Sequence, residues 1–103
     1  LVLEEMAWTV AMTVARSGVI IDDGLELRLT PLLPRGEDRR AAVALALLRG
    51  WIALEDYGHR TYGRDFYVVG DRFHRDKRAR YEKLHGIGTY PREDWEDGYR
   101  RSR

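Results

Sequence analysis

The densest run of chemically capable side chains in this sequence is basic. Residues 59–85 hold eight cations, Arg60, Arg64, Arg72, Arg75, Lys77, Arg78, Arg80 and Lys83, against four acids, Asp65, Asp71, Asp76 and Glu82. At 100° per residue, Phe73, Tyr81 and Leu84 gather on one side of a helix over 72–85, while Arg72, Arg75, Arg78 and Lys83 lie away from it. A helix held by its apolar side and basic on the other suits a phosphate backbone. Arg adds a planar, multidentate donor set to such a contact. The expected nucleic-acid-contacting residues are therefore Arg60, Arg64, Arg72, Arg75, Lys77, Arg78 and Lys83. The same pattern also describes a solvated helix stitched by Arg72–Asp76 and Arg78–Glu82 pairs, which are weak when exposed.

A second group of capable residues is aromatic. The segment 90–99 carries Tyr90, Trp95 and Tyr99 beside Arg92. Tyr, Trp and Arg dominate binding hot spots, so these three aromatics are the expected contacts to another protein or to a second copy of the chain. A plainer alternative is that they cover a small core and stay half exposed.

Other chemistries find no set of residues. His59, His74 and His85 are 15 and 11 residues apart, which matches no compact metal motif. The acid pairs Asp22-Asp23, Glu37-Asp38, Glu55-Asp56 and Glu93-Asp94 are adjacent in sequence, and adjacent side chains on a helix do not converge on one substrate. The only serines, Ser17 and Ser102, lie in no nucleophile elbow. Gly86-Ile87-Gly88 lacks the Lys-Ser/Thr of a phosphate loop. The expectation is a chain that is not an enzyme, with no metal and no cofactor.

Composition sets the frame for these residues. A length of 103 residues is one domain's worth. The apolar share of 44% is near the globular norm of roughly 45–50%, so a core is within reach. The charged share of 34% exceeds the usual ~25% and belongs on the surface. The chain has no cysteine, which removes disulfides and thiolate chemistry. The apolar stretch from Ala41 to Leu54 is interrupted at Arg49-Gly50, short of the ~20 residues a spanning helix needs. Glu4 and Glu5 stand where a signal peptide would be basic. The expectation is a cytoplasmic chain without a membrane partner.

The elements that must position these residues follow from periodicity. Residues 2–17 form a helix, with Leu3, Met6, Ala7, Val10 and Val14 on one face and Gly18 as its stop. Residues 19–30 form a hairpin: Val19-Ile20-Ile21, a turn at Asp22-Asp23-Gly24, then the alternating Leu25-Glu26-Leu27-Arg28-Leu29. Residues 37–56 form a central helix, apolar around most of its circumference through Val43, Leu45, Leu47, Leu48, Trp51, Ile52 and Leu54. A second hairpin folds Phe66-Tyr67-Val68-Val69 back on Arg60-Thr61-Tyr62. Asp71 caps the basic helix at 72–85 and Gly86 ends it. Pro91 opens a last helix to about Tyr99, and 100–103 fray.

The fold class expected is α+β: a small single domain, 1–103, of about four helices and two short β-hairpins around the central apolar helix 37–56. A basic helix beside a hairpin resembles a winged helix-turn-helix in architecture alone, with no fingerprint spacing behind it. The function expected is non-catalytic binding, with nucleic acid or a ribonucleoprotein contacted through 72–85. The alternative is a protein-interaction factor: an adaptor, an inhibitor or a structural subunit of a larger assembly.

Overall fold

The computed structural model describes residues 2–55 and 62–91. The chain divides into two units, Leu1–Asp71 and Arg72–Arg103, each described by itself. The architecture is α+β, with four helices and one three-stranded antiparallel sheet among the described residues.

The first unit is built on α1 (Leu3–Ser17). Met6, Ala7, Val10, Ala11 and Val14 are buried along one face, as the spacing predicts, while Leu3 stays exposed. Thr9, Thr13 and Ser17 return their hydroxyls to the carbonyls four residues back, so the polar groups on this helix are satisfied locally. Gly18 ends α1 with φ +79° and an N–H donated to the Val14 carbonyl. The buried face of α1 meets α2, α3 and strand β3, and forms the core.

The sheet differs from the two hairpins expected. β1 (Ile20–Ile21) leads straight into a helix, α2 (Asp22–Leu29), where the sequence pattern predicts a second strand. The alternating leucines satisfy a helical repeat as well: Leu25 and Leu29, four apart, are buried, and Leu27 faces solvent. Asp22 and Asp23 then sit in a first helical turn, where acids offset the backbone dipole. Gly24 is not a turn residue. A Cβ there would meet the Ile20 side chain at 3.3 Å, so glycine lets α2 lie close on β1.

The central helix is shorter than its apolar run. α3 (Gly36–Leu48) stops at Gly50, whose φ is +74°. The Gly50 N–H reaches the Leu47 carbonyl and the Trp51 N–H reaches Ala46, a Schellman pair of bonds. The chain then becomes β2 (Ile52–Leu54). Trp51 is buried as expected, with its ring 4.9 Å from Trp8 in an edge-on contact.

β3 (Phe66–Val69) is the middle strand. Ile20 pairs with Tyr67 and Ile21 with Phe66 on one side. Ile52, Ala53 and Leu54 pair with Val69, Val68 and Tyr67 on the other. Both edges of β3 are taken, by β1 and β2, where the sequence pattern predicts a pairing with 60–62. Of that arm, Arg60 and Thr61 lie outside the described residues.

In the second unit, α4 (Phe73–His85) occupies the segment read as the basic helix. No side-chain hydrogen bond caps its start, so the expected cap from Asp71 is not made. Gly86 does end it, with φ +106° and its N–H on the Glu82 carbonyl. The last helix expected from Pro91 to about Tyr99 lies, past Pro91, outside the described residues.

Candidate nucleic-acid interface on α4

The second unit's described chemistry is concentrated on α4 and the turn after it. Arg72, Arg75, Arg78 and Lys83 are all exposed. By helical geometry Arg72 and Lys83 lie within about 20° of each other, with Arg75 about 60° to one side. Arg72 and Lys83 are eleven residues apart, so their Cα atoms stand about 16 Å apart along the axis. Among the described residues, neither makes an ion pair.

The acids of this helix are engaged. Asp76 takes the Arg75 Nε at 3.0 Å, where the sequence pattern predicts Arg72 as its partner. Arg78 binds Glu82 at 2.8 Å, as expected for an i,i+4 pair. The other oxygen of Glu82 accepts the Gly88 N–H at 2.6 Å. That bond, and then Arg78, hold the Glu82 carboxyl below the usual glutamate range. Glu82 has 15% of its side chain exposed and Asp76 26%, against 65% for Arg75. What α4 presents to solvent is therefore more cationic than its composition.

The apolar side departs from expectation in one residue. Phe73 is buried, and Tyr81 is half-buried with its ring edge-on to Tyr90 at 5.5 Å. Leu84, on the same side as Phe73 by periodicity, is 81% exposed, and Ile87 in the following turn 96%. The anchoring side is covered at its first turn and open at its last. Lys77 lies on this apolar side and is half-buried, so it does not share the arc of Arg72 and Lys83.

The remaining candidates lie elsewhere. Arg64, in the first unit, donates to Asp22 Oδ1 at 2.9 Å and also to Asp23 Oδ2. The Arg64 hydrogen bond is the main reason the Asp22 carboxyl sits below its usual range. A phosphate at Arg64 would have to displace two carboxylates. The sequence signal for this pairing was weak, because the partners are more than forty residues apart. Tyr90 is buried against Tyr81 instead of standing open to a partner. Arg60, Trp95 and Tyr99 lie outside the described residues.

Among the described residues, no group of three or more His, Asp or Glu side chains is placed to hold a metal ion. No described helix is long and apolar enough to cross a membrane. No protein-family model, no curated protein and no solved structure matches this chain.

Proposed function

We propose that this chain is a non-catalytic binding protein whose helix α4 contacts the phosphate backbone of a nucleic acid. The observation that carries the reading is the exposed, unpaired couple Arg72 and Lys83 on one arc, with Arg75 beside them and both acids of the helix turned to partners. A span of about 16 Å is too long for one free phosphate and suits a polyanion that offers several in a row. Lys77 and Arg80 add to the field without joining this arc. Arg64 is left out of the contact set because Asp22 and Asp23 already balance it.

The test is a fluorescence-anisotropy titration of labelled duplex and single-stranded DNA and RNA at about 50 mM salt, with the double variant Arg72→Ala/Lys83→Ala alongside. Neither substitution removes an ion pair or a buried group, so the melting temperature should stay at the wild-type value. Binding should weaken by a similar factor on every sequence, because phosphate contacts carry no sequence information. Wild-type affinity unchanged by the double variant would remove α4 from the interface.

The second reading, a protein-interaction factor, draws on Leu84 and Ile87. Two large aliphatic side chains, three apart and almost wholly exposed, offer an apolar knob at the end of α4. A chain that binds no nucleic acid at low salt favours this reading.

A further inference from the structure

We propose that residues 86–90 form a strap that the Glu82 carboxylate latches onto α4, and that protonating this one carboxylate releases it. The inference lies within the second unit and does not depend on the nucleic-acid reading, because both states are read on the chain alone. It gives a purpose to Gly86-Ile87-Gly88, which matches no phosphate loop. After α4 the chain reverses through Gly86, at φ +106°, and Gly88, at φ +82°, angles that side chains rarely adopt. A Cβ on Gly88 would meet nothing within 4 Å, so the backbone angle alone calls for glycine there. Thr89 returns its N–H and its hydroxyl to the Gly86 carbonyl, at 3.3 and 2.5 Å, which ties the strap to itself. What ties it back to the helix is the Gly88 N–H on Glu82 Oε2 at 2.6 Å and the Tyr90 ring edge-on to Tyr81 at 5.5 Å.

Glu82 stands where two claims on one carboxylate meet. Arg78, one turn before it, donates Nε to Oε1 at 2.8 Å, and the strap holds Oε2. A hydrogen bond to an ionised group is roughly twice as strong as a neutral one, so protonation weakens both contacts at once. The other titratable groups near it are already engaged: Arg75, two turns back, with Asp76, and His85, whose ring centre lies 4.3 Å from that of Tyr81. The strap itself brings no titratable side chain before Tyr90. Gly88 first and Arg78 second hold the Glu82 carboxyl below the ordinary glutamate value near 4.5. The latch is therefore complete above that value and is lost as pH falls through the lowered folded one. Release parts Tyr90 from Tyr81. Leu84 and Ile87 are already 81% and 96% exposed, so the open strap enlarges the apolar surface at this end of α4.

The experiment is NMR on the full chain, reading hydrogen exchange at the Gly88 amide and the ring resonances of Tyr81 and Tyr90. In Glu82→Gln at neutral pH the Gly88 amide should exchange at least about tenfold faster, with both rings shifted toward their denatured positions. Amides of the first unit should keep their wild-type protection. Wild type should show the same changes on acidification, with one midpoint below the ordinary glutamate value, and Glu82→Gln should lack that midpoint. Arg78→Ala should raise the midpoint yet leave Gly88 protected at neutral pH, because the strap is held by the Gly88 bond and not by the ion pair. A Gly88 amide as protected in Glu82→Gln as in wild type overturns the proposal. So do ring resonances that stay in place when wild-type Glu82 titrates, or an Arg78→Ala chain whose strap is open at neutral pH.

Discussion

Gly70 is the residue whose replacement the structure prices most directly. It follows β3 and donates its N–H to the Trp51 carbonyl at 2.9 Å. A Cβ at this position would stand 2.7 Å from the Gly50 carbonyl carbon, 3.0 Å from the Ile52 oxygen and nearer still to the Gly50 oxygen. Carbon atoms rest at about 3.5–4.0 Å, so the two backbones must part by about 1 Å. That opening stretches the Gly70–Trp51 bond beyond hydrogen-bonding range. The obstructing atoms are backbone, which has no rotamer with which to yield. Overpacking of this kind costs about 1–3 kcal/mol, and an unsatisfied buried pair about 1–3 more. Gly70→Ala should therefore lose about 2–6 kcal/mol from a domain with ~5–15 kcal/mol in total. At roughly 4–8 °C per kcal/mol, thermal unfolding followed by circular dichroism should show a fall of at least about 10 °C. Gly36→Ala is the matched control. Its Cβ would meet the guanidinium end of the exposed Arg40 at 3.2 Å, which swings aside, and that of Arg39 at 3.4 Å, the edge of ordinary contact. That variant should melt at or above the wild-type temperature, helped by alanine's helix propensity. A Gly70→Ala protein melting within about 3 °C of wild type would refute the backbone approach described.

Two further outcomes follow from the first unit. Trp51→Ala removes a side chain 3% exposed and packed edge-on to Trp8, and should cost about 3–5 kcal/mol, read as a lower urea midpoint; an unmoved midpoint would place Trp51 outside the core. The Asp22–Arg64 pair lowers the folded-state pKa of Asp22, so its contribution is complete above the unfolded aspartate value near 3.8 and is lost as pH falls through the folded value. The stability gap between wild type and Arg64→Ala should thus be constant near neutrality and narrow below about pH 4, and a gap that widens in acid would contradict the pairing.

Much of this fold was legible from local patterns, and the failures have identifiable causes. α1 and its Gly18 stop could be read because an unbroken 3.6-residue repeat met a glycine able to take positive φ. α2 was misread because Leu25, Leu27 and Leu29 fit a period of two as well as helical spacing, and the tertiary contact of Leu25 and Leu29 decided between them. The extent of α3 was overestimated because the apolar run continues past Gly50 into β2. Gly50 itself was the available signal, being a glycine at the C′ position of a helix. The middle position of β3 was not legible, since pairing Phe66 with Ile21 across 45 residues leaves no local trace. At the candidate interface, the sequence located the cations of α4 and the Arg78–Glu82 pair. It did not reveal that Gly88 would bind Glu82, that Leu84 would stand open, or that Arg64 would be taken by Asp22 and Asp23.

The central claim is that α4 meets a polyanion, and the salt dependence of wild-type binding tests it most directly. Each phosphate neutralised on duplex DNA releases counterions and contributes about −0.9 to the slope of log affinity against log salt. Arg72, Arg75 and Lys83 together would give a slope of about −3, and an affinity roughly fortyfold lower at 200 mM salt than at 50 mM. The account predicts that slope, flattened by about two units in the Arg72→Ala/Lys83→Ala variant. Absence of binding to duplex or single strands at about 50 mM salt, or a binding constant that does not move with salt, would contradict it.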